Sequence, residues 1–200
     1  MPRQNLPAAD RRHMTVKTVV DLAATANPAD ITTAQIAERM GLSHGALFRH
    51  FPTKDAVWDA VVVWTSDQLN QRLDAAEARA GSPVSALEQM FLAHVDFVVA
   101  YPGIPRILFG ELQRADDTSA KHSAKALLDS YRMRVIDLVE RAKTDSALPV
   151  DLDAEAAAIL FIGTIQGLVM QSMISGDFTR MTRMARRVCN IYLNGIGAQP

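Results

Sequence analysis

The chain has 200 residues, 48% hydrophobic and 22% charged, so it can bury a core and is not expected to be disordered. Its single cysteine, Cys189, excludes a disulfide framework and a cysteine-rich zinc site. This low cysteine content is typical of proteins in a reducing compartment. The sequence does not begin with a basic and apolar leader, which favours a cytoplasmic protein over a secreted one.

The charge is divided unevenly along the chain. The net charge is −1, but residues 1–56 carry seven Lys or Arg against five Asp or Glu. The remaining residues carry fourteen basic and seventeen acidic side chains. A mildly basic N-terminal segment followed by an acidic remainder suggests that the N-terminal segment has an anionic partner.

Almost the whole chain has apolar residues at the spacing of an amphipathic helix, and no segment alternates with period two. The pattern predicts an all-α protein. Turn signals rich in Gly and Pro divide it into about nine helices, at 10–26, 33–40, 44–50, 54–80, 84–101, 104–114, 118–144, 152–175 and 178–195.

The predicted helix at 152–175 is unusually apolar. Its apolar stretch, Ala156 to Met170, is shorter than the roughly 20 residues that a bilayer needs, and Thr164 and Gln166 interrupt it. No membrane segment is therefore expected. A helix that is apolar on all sides is buried in protein, so this one is expected to be a core helix, a subunit interface, or both.

Residues 31–58 carry the clearest local signal. Thr32 followed by Gln35 forms a capping box that begins a short helix, and Gly41 can adopt the positive φ that ends it. Ser43 can cap the next short helix. Two short helices joined by a tight glycine turn form a helix-turn-helix. The helix at 10–26 is expected to pack beneath them.

The second short helix is expected to expose a polar and aromatic surface. Gly45 allows a backbone to approach closely, and His44 and Arg49 offer hydrogen-bond donors. Lys54 begins the following helix, where its ammonium group and the free N–H groups can hold a phosphate. The segment is therefore predicted to contact DNA.

The pattern T-T-x-x-I-A-x-x-x-G-L-S-x-G-x-L-F-x-H-F-x-x-K, from Thr32 to Lys54, closely resembles the DNA-binding domain of the TetR family of transcriptional regulators. The resemblance covers residues 10–60 well. The rest of the chain is similar only in length and in its helical character. The resemblance implies a DNA-binding domain at 1–56 and a helical effector-binding and dimerisation domain at 57–200.

The resemblance also implies roles for single residues. Thr33 corresponds to a small polar residue that touches phosphate, with Thr32 as the cap of the same helix. Ser43 caps the third helix, His44 stands where the family often has a DNA-contacting Lys or Arg, and Gly45 matches the glycine that lies against the groove.

The remaining implied contacts follow in the chain. Phe48 stands where the family usually has Tyr, so the hydroxyl that reaches a phosphate is missing. Arg49 and His50 match positions that contact the backbone or base edges, and Lys54 matches the phosphate-binding lysine. Each has a simpler alternative, because Phe48 and His50 could be packed under the turn and Arg49 could be a solvated surface charge.

A ligand pocket and a dimer interface are further expectations for the C-terminal region. The pocket would be mainly apolar with one or two polar anchors, and its candidates are Phe91, His94, Val98, Phe109, Gln113, Met133, Phe161 and Ile165. By default, the apolar members are core residues. The interface would lie on the last two helices, around the thin face that Gly163 and Gly167 leave, and its candidates are Ile159, Ile162, Gly163, Gly167, Met170 and Ile191.

No catalytic motif occurs, neither H-E-x-x-H, a G-x-S-x-G elbow nor a glycine-rich phosphate loop, so an enzyme is not expected. No cofactor or metal site is expected either. The leading hypothesis is a homodimeric repressor that a small, largely apolar effector releases from a palindromic operator. The alternative is a dimeric DNA-binding regulator without a small-molecule effector, whose C-terminal domain serves only dimerisation or a protein partner.

Overall fold

The computed structural model describes residues 7–198, and this part of the chain contains nine α-helices, one short 3-10 helix and no strand. The predicted all-α class is confirmed. The α-helices are α1 (Ala8–Ala23), α2 (Thr33–Arg39), α3 (His44–Phe48), α4 (Lys54–Arg79), α5 (Pro83–Ala100), α6 (Gly103–Gln113), α7 (Ser119–Thr144), α8 (Ala154–Ser175) and α9 (Thr179–Gly195).

Two predicted helix ends lie too far along the chain. α1 ends at Ala23 rather than residue 26, because Asn27 is extended before Pro28 and accepts a hydrogen bond from Ala29 N, which begins the 3-10 helix Pro28–Asp30. α3 ends at Phe48 rather than residue 50, and the next two residues form a turn before Pro52.

The described chain divides into two compact units, and neither is continuous in sequence. The first comprises residues 7–66 and Tyr101–Lys125, and the second comprises Asp67–Ala100 and residues 126–198. The units therefore divide α4 after Ser66 rather than before residue 57. The boundary predicted from the sequence, between residues 56 and 57, divides the chain by function, and it stays a prediction.

In the first unit, α1 supplies the buried layer beneath the two short helices. Val16, Val19, Val20 and Ala23 of this helix are all buried. α1 also packs against α6, where Gly103 meets the α1 backbone. A Cβ atom on Gly103 would lie 2.1 Å from Val20 O and 2.8 Å from Ala24 N, so only glycine allows this approach.

In the second unit, α5, α8 and α9 pack on one another around aromatic rings. Phe161 lies at the centre, with ring centroids 5.6 Å from Phe91, 5.3 Å from Tyr192 and 6.1 Å from Tyr131, all edge to face. The Tyr192 hydroxyl donates to Ala157 O at 3.1 Å. Edge-to-face aromatic packing adds about 0.5–1.5 kcal/mol per pair to the gain from burial.

Helix α8 differs from the prediction in two ways. It has 22 residues and contains an 18-residue window with a mean hydropathy of 1.7, which satisfies the length and composition of a membrane span. The prediction that its apolar part is too short for a bilayer is therefore wrong. It is also not buried on all sides. One face is buried, whereas the opposite face exposes Ile159, Leu160, Met170 and Ile174. One such helix is weak evidence for a membrane segment, since the core helix of a soluble protein can have the same length and composition.

Candidate nucleic-acid interface

The turn between α2 and α3 is built from local hydrogen bonds. At the start of α2, Thr32 Oγ1 accepts from Gln35 N (3.2 Å), while Gln35 Oε1 accepts from Thr32 N (2.8 Å), which confirms the capping box. At its end, Gly41 has φ +65°. Gly41 N donates to Glu38 O (2.9 Å) and Leu42 N to Ala37 O (2.8 Å), which together form a Schellman motif. These bonds fix the angle at which α3 begins.

α3 is held by one cap and two buried side chains. Ser43 Oγ accepts from Ala46 N (3.3 Å), and Leu47 and Phe51 are each 1% exposed. The opposite side of the helix is open to solvent. A Cβ atom on Gly45 would meet nothing within 4 Å, so this glycine faces open space in the free protein. α3 therefore presents a thin, accessible face at its first turn.

Three predicted DNA contacts form one cluster on this face. Thr33 Oγ1 and His44 Nε2 lie 3.0 Å apart, and the His44 ring meets the Phe48 ring edge to face with centroids 4.5 Å apart. Phe48 is half-buried, so it is neither fully core nor freely exposed. The cluster joins the first residue of α2 to the first and last residues of α3 and restricts the orientation of the imidazole.

Lys54 is only partly available to a phosphate in the free protein. Its ammonium group donates to Ala29 O at 3.1 Å and lies 5.6 Å from the centre of the Trp58 ring. Both contacts keep the charge at the first residue of α4, where the free N–H groups of the helix also attract anions. A phosphate bound there would compete with a backbone carbonyl.

The two residues after α3 have different surroundings. The Arg49 side chain is exposed and has no hydrogen bond or ion pair with the described residues. His50 is half-buried, and its carbonyl accepts from Arg12 Nη1 at 2.8 Å. Arg12 also stacks on the Phe51 ring, with its guanidinium carbon 4.5 Å from the centroid. Sequence reasoning missed this link, because the partners are 38 residues apart and no local motif joins them.

The predicted pocket residues do not all share one environment. Phe91, Val98, Phe161 and Ile165 are buried in the second unit, and His94 is half-buried beside them. In the first unit, Phe109 is half-buried and Gln113 is exposed.

Met133 is 55% exposed, so its expected place in an interior pocket is wrong. Tyr131 is the inward residue of that turn, because it shares the buried face of α7 with Leu127 and Val135 at four-residue spacing. A residue two positions further along a helix points to the opposite side. The spacing of four could have identified Tyr131 from the sequence.

His94 and Tyr131 form the polar part of this aromatic core. His94 Nδ1 lies 3.2 Å from the Tyr131 hydroxyl, with ring centroids 5.3 Å apart. Burial lowers the pKa of His94 from 6.5 to about 4, and it raises the pKa of Tyr131. His94 and Tyr131 are therefore both neutral at pH 7. The hydrogen bond between them places no charge in the core.

The predicted interface residues lie on the outer side of α8 and α9. Ile159 is 60% exposed, Met170 44% and Ile191 72%, while Ile162 is half-buried. Gly163 and Gly167 are exposed, and a Cβ atom on either would meet nothing within 4 Å. Large apolar side chains around a thin helix face are typical of helix-helix contacts. Cys189 lies on the inner side, where burial raises the pKa of its thiol to about 12.

Comparison with known proteins agrees with this geometry. Residues 17–61, which include α2, the turn and α3, match the model of the bacterial regulatory proteins of the tetR family. The nucleoid occlusion factor SlmA of Haemophilus ducreyi is 24% identical over 113 residues, so the match spans 56% of this chain and 56% of that protein. SlmA of Shewanella pealeana is 21% identical over 165 residues, 82% of this chain and 84% of that protein.

A solved structure extends the likeness to nearly the whole fold. The crystal structure of the transcriptional regulator FadR from Bacillus subtilis in complex with stearoyl-CoA has a TM-score of 0.79, with 14% identity, and covers 92% of this chain and 98% of that one. The expectation that the chain is not an enzyme is confirmed, because the matched family consists of regulatory proteins. Residues 17–61 are thus similar to the bacterial regulatory proteins of the tetR family, and the fold of the described chain is similar to that of a solved transcriptional regulator.

Proposed function

We propose that this chain is a homodimeric repressor of the TetR family, which a small, largely apolar effector releases from a palindromic DNA operator. The observation that carries the proposal is the exposed face of α3, which a capped α2 and a Schellman turn present to solvent. In helix-turn-helix proteins the second helix of the motif enters the major groove. The proposal therefore assigns α3 to the groove.

The polar groups around α3 divide into two sets by position. Thr33 and Lys54 begin α2 and α4, where the helix N–H groups suit phosphates, and His50 lies in the turn after α3; these three are the proposed phosphate ligands. His44, Gly45 and Arg49 lie along or just after α3 and are the proposed base readers. Phe48 supports His44 and offers an apolar edge to a thymine methyl group.

Dimerisation is supported by the outer face of α8. Ile159, Leu160, Met170 and Ile174 share this face at helical spacing, and Ile191 on α9 is equally exposed. Monomeric soluble proteins rarely leave a contiguous apolar face of this kind in water. Two copies joined through α8 and α9 would cover it and would present two α3 helices to the two halves of a palindrome.

An effector is supported by the chemistry of the second unit. Its aromatic core contains the neutral pair His94 and Tyr131, which can anchor one polar group of an otherwise apolar molecule. The similar fold of B. subtilis FadR was solved with stearoyl-CoA, a ligand with a long apolar chain. We propose that effector binding changes the direction of α4, the helix that leads out of the DNA-binding segment.

The alternative function has its own support. The curated relatives described above are nucleoid occlusion factors, which their name connects with the chromosome rather than with a metabolite. On this reading, the chain is a DNA-binding dimer without a small-molecule effector. Its second unit then serves dimerisation or a protein partner.

Two measurements on the full chain test the proposal. A duplex selected from a random pool by binding should be palindromic and should bind the protein at a ratio of two chains per duplex. Stearoyl-CoA or free stearate should then raise the melting temperature of the protein and lower its affinity for that duplex, since a ligand shifts an equilibrium only through unequal affinity for the two states. Tight palindrome binding with no response to either ligand or to other apolar molecules would favour the alternative.

A further inference from the structure

The first unit contains a cleft that none of the functions above uses. It encloses about 370 Å³ between the 3-10 helix, the first turns of α4 and one side of α6. Its floor includes Trp58 and Ile107, which are 3% and 2% exposed. Its lining carries three cationic side chains, Lys54, Arg106 and Arg114, against two acids, Asp55 and Glu111.

The two acids in the lining already have cationic partners. Arg114 Nη1 lies 3.1 Å from Asp55 Oδ1 and 3.6 Å from Glu111 Oε1. Glu111 also accepts a hydrogen bond from Thr118 Oγ1 at 3.3 Å. Arg114 thus forms ion pairs within the protein, and these largely neutralise the charges of Asp55 and Glu111. The charges left over in the cleft are the two other cations.

Arg106 and Lys54 have no acid partner among the described residues. Arg106 is half-buried, and its Nε atom is buried without a hydrogen-bond acceptor in the described chain. Lys54 has only a backbone carbonyl and the face of Trp58. Burying an unpartnered N–H group is unfavourable, so the position of Arg106 is not explained by a hydrogen bond of this group within the protein.

We propose that this cleft is a binding site for a small organic anion with a flat apolar body. The carboxylate or phosphate of the anion would bind Arg106 and Lys54, and its ring would lie on Trp58 and Ile107. A planar guanidinium suits an oxyanion because it offers two parallel N–H groups. The site lies in the first unit and is distinct from the effector site proposed for the second.

Binding at this cleft would also affect DNA, a step that rests on the proposed function. Lys54 is the proposed phosphate ligand on α4, and a bound anion would neutralise its ammonium group. Each phosphate contact of this kind adds about one unit to the salt dependence of DNA binding. The anion should therefore compete with DNA through a single shared cation.

Calorimetry with 2-naphthoate, and with the neutral 2-naphthamide as its matched probe, tests the site on the full chain without DNA. Wild-type protein should bind 2-naphthoate about tenfold more tightly than 2-naphthamide, since bonds to a charged group outweigh neutral ones. Arg106→Gln should remove this preference, and Arg106→Lys should restore part of it. Arg180→Gln, which removes an exposed cation on α9, should leave the preference unchanged.

A second variant keeps the test decisive if Arg106→Gln unfolds. Gly110 lines the cleft, and a Cβ atom there would meet nothing within 4 Å, so Gly110→Leu should fold and obstruct the ligand. Equal binding of the two probes by wild-type protein would overturn the site, as would unchanged 2-naphthoate binding by Gly110→Leu. If calorimetry supports the site but 2-naphthoate leaves DNA affinity unchanged, the competition for Lys54 is wrong and the site stands.

Discussion

At the scale of single residues, the proposed DNA-binding face contains side chains that already have partners within the protein. Thr33 contacts His44, and Lys54 binds Ala29 O. The Arg49 side chain, in contrast, is exposed and has no hydrogen bond or ion pair with the described residues. We therefore expect Lys54 and Arg49 to contribute to DNA binding in different ways.

Replacing these two residues separates phosphate contact from base reading. Lys54→Ala should weaken binding to selected and scrambled duplexes about equally and lower the salt slope by about one unit. Arg49→Ala should cost about 1–3 kcal/mol on the selected duplex alone, because a guanine contact exists only there. Binding isotherms at several salt concentrations measure both. Equal losses on the two duplexes for Arg49→Ala would make Arg49 a backbone contact.

His94 gives the second unit a pH dependence. Its pKa is about 4 in the folded chain and about 6.5 in the unfolded chain, so between these values the unfolded state binds the extra proton. The free energy of unfolding should therefore fall as the pH drops from 6.5 to 4, by at most about 1.4 kcal/mol per unit. Urea unfolding at pH 7 and pH 5 measures the difference.

The matched variant for this effect is His94→Gln. Glutamine retains a group that can bond to the Tyr131 hydroxyl but does not titrate in this range. The loss of stability between pH 7 and pH 5 should be smaller in His94→Gln than in the wild type. An identical pH profile in the two proteins would assign the dependence to other groups.

At the scale of helices, the closest approach in the first unit is the crossing of α1 and α6 at Gly103. Gly103→Ala would place a methyl group 2.1 Å from Val20 O, against backbone that cannot rotate away. Overpacking of this kind costs about 1–3 kcal/mol or more. Thermal unfolding should show a clear loss for Gly103→Ala, whereas Gly110→Ala on the same helix should be neutral or stabilising, because its site is open.

The same helices indicate what a sequence can predict. The capping box of α2 and the positive φ of Gly41 depend on neighbours within five residues, and both were predicted correctly. The bonds of Arg12 and Lys54 join residues 38 and 25 positions apart, so no local pattern identifies them. Met133 was misplaced because the prediction did not use the four-residue spacing of Leu127, Tyr131 and Val135, which marks the buried side of α7.

At the scale of the whole molecule, the outer face of α8 predicts the assembly. Light scattering at micromolar concentration should give twice the chain mass of 21.9 kDa. Ile159→Glu should shift the protein towards monomer, since it places a charge on the 60%-exposed apolar position that a partner would cover. Val150→Glu is the matched control, because Val150 is 83% exposed in a loop outside α8. A stable wild-type monomer would contradict the dimer.

In the proposed repressor, the apolar side of α8 also links control of the operator to the abundance of the protein in the cell. When two chains must meet before both halves of a palindrome are occupied, operator occupancy at low expression rises with the square of chain concentration rather than in proportion to it. A twofold change in synthesis or degradation then changes repression by up to fourfold. The residues Ile159, Leu160, Met170 and Ile174, far from α3 in sequence, would set the copy number at which the gene is silenced.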